Sequence, residues 1–151
     1  MLPVLAGIID AGVPVSIDTQ KTDVMRAAID AGASMINDVN ALQAEGALAL
    51  CAASRVAVCL MHRQGTAADM QDDPYYDDVV VEVSAYLAAR AAAASAAGIG
   101  SDRIVIDPGF GFGKTVAHNF ILLRDLQSFC SLGYPVLAGL SRKSSLGAVT
   151  S

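Results

Sequence analysis

Residues 56–62 read VAVCLMH, six apolar or thiol side chains in a row closed by a histidine. An antiparallel strand with one wet face alternates apolar and polar residues. A run without alternation suits a parallel strand covered on both faces. Four more segments share the character: 13–18 (VPVSID), 34–39 (SMINDV), 103–107 (RIVID) and 135–141 (PVLAGLS). Each is apolar in its middle and rich in Val, Ile or Leu. Together they predict five buried parallel strands.

Helical patterns separate the strands. Residues 23–31 place Val24, Met25, Ala28 and Ile29 on one side, with a start signal at Thr19 and Thr22 and a stop at Gly32. Residues 43–53 form a second candidate. Residues 77–97 form a third, acidic in the first turn and followed by Gly98. Residues 117–132 form a fourth, ended by Gly133, and a fifth begins around 143–145. The opening stretch 2–10 reads as the tail of another helix. Strand and helix alternating over short connections define an α/β fold with a parallel sheet. The one long connection, 63–76 (RQGTAADMQDDPYY), is polar and reads as a loop over one face.

The 151 residues form one domain, 1–151, with 54% apolar composition, which excludes disorder. A net charge of −5 argues against a nucleic-acid partner but leaves a local anion site open. The three cysteines, Cys51, Cys59 and Cys130, offer no C-x-x-C pair, so a reduced, cytoplasmic setting is expected. Met1 is not followed by a basic region, so no signal peptide is expected. The alanine-rich stretch 86–98, interrupted by Arg90, reads as a helix packed on a sheet and as too short for a membrane span.

The chemistry gathers at the carboxyl ends of the strands. They stop on Asp18-Thr19, Asn37-Asp38, Met61-His62-Arg63, Asp107-Pro108-Gly109 and Ser141-Arg142-Lys143. In parallel α/β folds these ends converge on one mouth, where ligands bind. Any single Asp or Asn there is as well read as a helix cap. Five strands ending alike, with Lys and Arg among them, favour a binding site. Two carboxylates, a carboxamide and a lysine suit a flat heterocycle that bears N–H donors and a carbonyl.

Residues 107–115, DPGFGFGKT, imitate a phosphate loop but do not fit one. The glycine a Walker A loop requires is replaced by Pro108, and Lys114 stands where a dinucleotide fingerprint has its third glycine. Alternating glycine instead presents Phe110 and Phe112, either of which can stack on an aromatic substrate or pack inward. The helix after Ser141 offers N–H groups for a carboxylate or phosphate, and Arg142 is either an anion ligand or a structural ion pair. His62 reads as a base or a hydrogen-bond brace, His118 as solvated, and Arg63 with Asp69, Asp72 and Asp73 as a solvated loop. No second ligand sits at metal-binding spacing from either histidine.

In this order the stretches VSIDTQK (15–21), INDV (36–39), CLMHRQG (59–65), YYDDV (75–79), DPGFGFGKT (107–115) and GLSRKSSLG (139–147) resemble the dihydropteroate synthases. The resemblance implies a (β/α)8 barrel, of which this chain holds about strands three to seven with their helices. It implies condensation of a 6-hydroxymethyl-7,8-dihydropterin pyrophosphate with p-aminobenzoate, giving 7,8-dihydropteroate and pyrophosphate in folate biosynthesis. On that basis Asp18, Asn37, Val39, Met61, Asp107, Phe112, Gly139 and Lys143 serve the pterin. Phe112, Ser141 and Lys143 serve p-aminobenzoate, and Lys143 and Asp107 are the catalytic pair. Magnesium assists through the pyrophosphate, with its protein ligand expected outside this chain. The partners implied are these small molecules and a second subunit in a homodimer, with no nucleic acid or membrane.

Family motifs of the Asn-Val-Thr-Pro-Asp-Ser-Phe and Arg-Val-His types are not found in the sequence. A five-strand piece is expected to leave its barrel open, to be unstable or self-associating, and to be inactive as a synthase. Two other readings are a pterin-dependent methyltransferase domain and a non-catalytic pterin-binding remnant.

Overall fold

Four short strands pair side by side in sequence order: β1 (Ser16–Asp18), β2 (Met35–Asp38), β3 (Ala57–Met61) and β4 (Ile104–Asp107). Every pairing is parallel. The computed structural model that shows them describes residues 7–8, 12–65 and 74–141. Parallel neighbours need a crossover, and each is a helix: α1 (Thr22–Asp30), α2 (Ala47–Ala53) and α3 (Val79–Ala96). Two more, α4 (Val116–Arg124) and α5 (Leu126–Cys130), follow β4.

The register decides what each face of the sheet carries. Asp18 lies beside Asn37, Asn37 beside Cys59, and Cys59 beside Val105. Register partners in a parallel sheet point the same way and successive residues alternate. Asp18, Asn37, Cys59, Met61, Val105 and Asp107 therefore share one face. Ile36, Asp38, Val58, Leu60, Ile104 and Ile106 share the other, and all six are at most 1% exposed. The helices cover this second face. Helix α3 lays its buried stripe of Val79, Val83, Leu87, Ala91 and Ala94 towards β3 and β4. The small residues in its second half let the helix approach the strands closely. Its 18 residues, which begin seven before the alanine-rich stretch 86–98, are long and apolar enough to cross a bilayer by length and composition. Here the stripe is spent on the sheet. The helix starts where expected, with the Asp78 carboxylate accepting from the N–H groups of Val80 and Val81 at 3.0 Å each.

The two polar residues of Ile36-Asn37-Asp38 are split by the strand period. Asp38 turns to the helix side and accepts from the N–H groups of Asn40 and Leu42, each at 2.8 Å. Burial pushes its pKa up, and these two backbone donors pull it back. They hold a turn in which Ala41 and Leu42 take left-handed angles, φ 49° and 58°. Arg90 of α3 closes the same turn, donating to the Ala41 and Leu42 carbonyls at 2.9 and 3.3 Å. This is why α2 begins at Ala47 and not at residue 43: the turn holds the chain away from helical angles until Gly46.

Three further expectations are corrected. Residues 135–141 form no continuous strand. Val136 makes one parallel bridge to Ile106, through Ile106 N–H to Pro135 O (3.0 Å) and Leu137 N–H to Ile106 O (2.9 Å). The next rung on either side would need an N–H from Pro135 or Pro108, and proline has none. The helix foreseen over 117–132 breaks at Asp125 (φ −99°, ψ 23°), whose carboxylate pairs with Arg124 at 2.6 Å. Helix α1 has Lys21 as its N-cap, without a side-chain cap. Thr22 donates instead to the Glu45 carbonyl at 2.9 Å. The helix expected at 143–145 lies outside the described residues. Of the one expected at 2–10, only Gly7 and Ile8 are described, and they are helical.

Candidate active site

The face of the sheet not covered by helices carries the acids and the amide. Asp18, at the end of β1, is exposed, and Asn37 beside it is half-buried. The Asn37 Oδ1 atom is buried and has no hydrogen-bond partner among the described residues. An acceptor left so costs about 1–3 kcal/mol. Asp107 stands two strands away and one step further along, and is 5% exposed. Strand spacing and rise put its Cα roughly 12 Å from that of Asn37. Between them lie Met61 and the fully buried Cys59. Burial pushes the Cys59 thiol up to about 12, and the charges of Asp107 and Asp18 add to it. The thiol thus senses both carboxylates.

Beyond β4 the chain turns over the end of β3. Gly109 has φ +71°, and a Cβ there would meet the His62 carbonyl oxygen at 1.8 Å. Gly113 has φ +64°, and its Cβ would meet the Gln64 oxygen at 2.3 Å. Alternating glycine therefore serves backbone-on-backbone contact with residues 62–64. The loop is tied at each step. Gly109 N–H donates to Asp107 Oδ1 at 2.7 Å, and Phe112 N–H to Gly109 O at 3.1 Å. Gly111 N–H donates to Asn119 Oδ1 at 2.8 Å, and the Tyr76 hydroxyl to Gly113 O at 2.7 Å. The two phenylalanines part company: Phe110 is 2% exposed in the core, and Phe112 is half-buried at the loop's edge.

Lys114 is folded back under this loop and is 3% exposed. Its ammonium reaches the Gly109 and Phe112 carbonyls and His62 Nδ1, all at 3.0 Å, with the His62 carbonyl at 3.5 Å. An ammonium only donates, so Nδ1 accepts and the His62 proton sits on Nε2. The imidazole is clamped edge-on by Tyr86, ring centroids 4.9 Å apart. His62 is thus a brace. Burial first, then the Lys114 charge, lower its pKa to about 3.

That shift predicts a pH dependence. Between pH 3 and 6.5 the unfolded chain binds a proton at His62 that the folded chain refuses, so stability falls as pH drops through this window. From pH 6.5 to 4.5 the loss is about 2–3 kcal/mol. Urea unfolding of the protein and of a His62→Asn variant measures it: the variant lacks this part of the acid loss. Equal acid losses in both would refute the assignment.

His118 was expected to be solvated. It instead completes a capping box with Thr115: His118 N–H donates to Thr115 Oγ1 at 3.1 Å, and Thr115 N–H to His118 Nδ1 at 3.3 Å. Its ring lies edge-on to Tyr76, centroids 5.0 Å apart.

Of the expected site residues, Asp18, Asn37, Met61 and Asp107 share one face, and Phe112 closes the loop beside Asp107. Val39 is half-buried in the turn after β2. Gly139 is half-buried and Ser141 exposed beyond the Val136 bridge. Lys143 and Arg142 lie outside the described residues, as do Asp69, Asp72 and Asp73. Arg63 is half-buried. Lys114, Tyr76 and Asn119 were not singled out as site residues. A lysine inside a glycine loop was the available signal, since a buried ammonium demands several acceptors.

The sequence matches the family model described as pterin binding enzyme over residues 1–151. It is 50% identical over 151 residues to the dihydropteroate synthase of Neisseria meningitidis serogroup C, an alignment covering 98% of this chain and 53% of that one. Among solved structures, dihydropteroate synthase from Stenotrophomonas maltophilia, with imidazole bound in its active site, superposes with a TM-score of 0.95 at 54% identity. It covers 99% of this chain and 57% of that one. The Xanthomonas albilineans dihydropteroate synthase in complex with 7,8-dihydropteroate gives 0.92 at 51% identity, over 99% and 56% of the two chains. The chain spans about half the length of the curated relatives it matches.

Proposed function

Because the chain belongs to the pterin binding enzyme family, we propose that it carries the pterin pocket of a dihydropteroate synthase. The fold is correspondingly a partial (β/α)8 barrel. The observation that supports the reading is the shared face of Asp18, Asn37 and Asp107, with the buried, unpartnered Oδ1 of Asn37 among them. A dihydropterin is a flat fused ring whose edges offer N–H donors in two places. Carboxylates at opposite ends of the face suit those edges, and Asn37 Oδ1 gains the partner it lacks. Met61 and Cys59 form the apolar floor and Phe112 an aromatic wall.

The reaction we propose is transfer of the pterin methylene group. Its bond to the pyrophosphate oxygen breaks, and the electron pair leaves with pyrophosphate. The cation formed is delocalised into the pterin ring. The amine nitrogen of p-aminobenzoate attacks that carbon and gives up a proton. Asp107, Asp18 and Asn37 hold and orient the ring, and buried carboxylate charge stabilises the cation. Lys143, Ser141 and Gly139 belong to the proposal on the strength of the family motif, Lys143 for catalysis and Ser141 for the p-aminobenzoate side. Arg142 is carried as an anion ligand. The homodimer is carried in the same way. A cytoplasmic setting is supported by three free cysteines, one of them exposed. Magnesium would act on the pyrophosphate. Among the described residues no three His, Cys, Asp or Glu side chains gather to hold a metal.

Calorimetric titration of the purified protein with 6-hydroxymethyl-7,8-dihydropterin tests the reading. Stoichiometric binding is expected, weakened at least tenfold by Asp107→Asn. p-Aminobenzoate is expected to bind once pterin and pyrophosphate are both present. No pterin binding, or binding indifferent to Asp107, would overturn the proposal.

A further inference from the structure

The hydrogen bonds of Lys114 run to the residue after β3 and to the glycine loop beyond β4, beside the face that carries Asp18, Asn37 and Asp107. Its ammonium holds the carbonyls of Gly109 and Phe112, the first and last residues of the turn that Phe112 N–H closes onto Gly109 O. It also donates to His62 Nδ1, on the residue after β3. His62 is fixed in turn: its N–H donates to Asp107 O at 2.9 Å, and its ring packs between Tyr86 and Tyr76. One buried cation therefore links the end of β3 to the turn that carries Phe112. Releasing it would free two carbonyls and a ring nitrogen, while the turn keeps its internal bond, its glycine contacts and the N–H bonds of Gly109 to Asp107 Oδ1 and of Gly111 to Asn119 Oδ1. Glycine-rich backbone has much conformational freedom to regain, and the Lys114 ammonium is the tie that holds both carbonyls at the ends of the turn.

We infer that Lys114, with neutral His62 as its acceptor, is the positioning residue that holds Phe112 against an aromatic ligand on the Asp18–Asn37–Asp107 face. The inference rests on the pterin reading for the ligand but not for the brace. Neither Lys114 nor His62 contacts the ligand; both act through the turn. The lowered pKa of His62 is what such an arrangement requires, since an imidazolium cannot accept from an ammonium.

Titration of Lys114→Met with 6-hydroxymethyl-7,8-dihydropterin, beside Phe112→Ala and the double variant, tests this. Lys114→Met keeps the length and removes all three donors. Its affinity is expected to fall by about tenfold, as in Phe112→Ala, and the double variant to be no weaker than either single one. Amide hydrogen exchange at Phe112 is expected to quicken at least tenfold without ligand, and the His62 Nδ1 nitrogen resonance to shift. His62→Leu removes one acceptor and serves if Lys114→Met does not fold: it too is expected to loosen Phe112 and weaken binding, with His62→Asn, whose oxygen replaces Nδ1, recovering most of the loss. Fully additive losses in the double variant, or pterin affinity unchanged in both Lys114→Met and His62→Leu, would overturn the inference while leaving the pterin reading intact. An unmutated protein that binds no pterin would overturn both.

Discussion

Gly109→Ala leaves the protein unfolded, or less stable by about 4 kcal/mol or more. Two separate costs add. A left-handed backbone at a residue with a Cβ costs about 1–2 kcal/mol. The Cβ would also stand 1.8 Å from the His62 carbonyl oxygen, a distance no side-chain rotation relieves, because both atoms are fixed to backbone. The turn must lift, and lifting it breaks three bonds to Gly109: Asp107 Oδ1 to its N–H, and Phe112 N–H and Lys114 Nζ to its carbonyl. Each is worth about 1 kcal/mol net, more where a charge takes part. Gly133→Ala supplies the control. Gly133 has φ +84° but nothing within 4 Å of an added Cβ, so it carries the backbone cost alone. Denaturant midpoints of the two variants separate the terms, and equal losses would show that the contact with residue 62 is not made.

How much of this was legible in the sequence depended on which physical signal each element carries. The parallel sheet was, because residues 56–62 and 103–107 are apolar without alternation, and only two covered faces call for that. The grouping of Asp18, Asn37 and Asp107 was partly legible, since each ends a strand. Their common face needed the register, which places Asn37 inward and Asp38 outward from adjacent letters. The late start of α2 was not legible. It depends on Asp38 within the turn and Arg90 of α3, 49 residues from the Ala41 carbonyl it binds, holding the same turn, a partly tertiary effect that overrides local propensity. The failure of 135–141 to extend as a strand was legible after the fact, through Pro108 and Pro135, but only once their rungs were known to face each other. The break at Asp125 carries neither glycine nor proline and left no mark on the apolar period. Lys114 was visible as an oddity within the glycine loop; its acceptors were not, because two of them are backbone carbonyls and the third is the ring nitrogen of His62, 52 residues earlier.

Asn37→Leu is expected to stabilise the protein and to cost it its ligand. The side chain is half-buried, between Asp18 on β1 and Cys59 on β3, and its Oδ1 is shut away from solvent without a donor among the described residues. Leucine of similar volume removes that penalty and adds apolar area, for a gain of about 1–2 kcal/mol. For a domain of this size that raises Tm by about 2–6 °C. The same change deprives a pterin N–H of its acceptor at a buried atom, a loss on the order of 100-fold in affinity. Opposite signs in one variant are diagnostic. A residue kept for packing loses stability when replaced, and a surface polar residue changes nothing. Only a group held unsatisfied for a ligand improves the empty protein and harms the complex. Asn37→Asp sharpens the case, since it keeps an acceptor but sets a third carboxylate on a face that already has Asp18 and Asp107. It should lower stability as well as affinity, most strongly above the pH at which the new group ionises. Thermal melts with pterin titrations on both variants settle the matter. An Asn37→Leu protein that melts lower than the parent, or binds pterin as the parent does, removes Asn37 from the site.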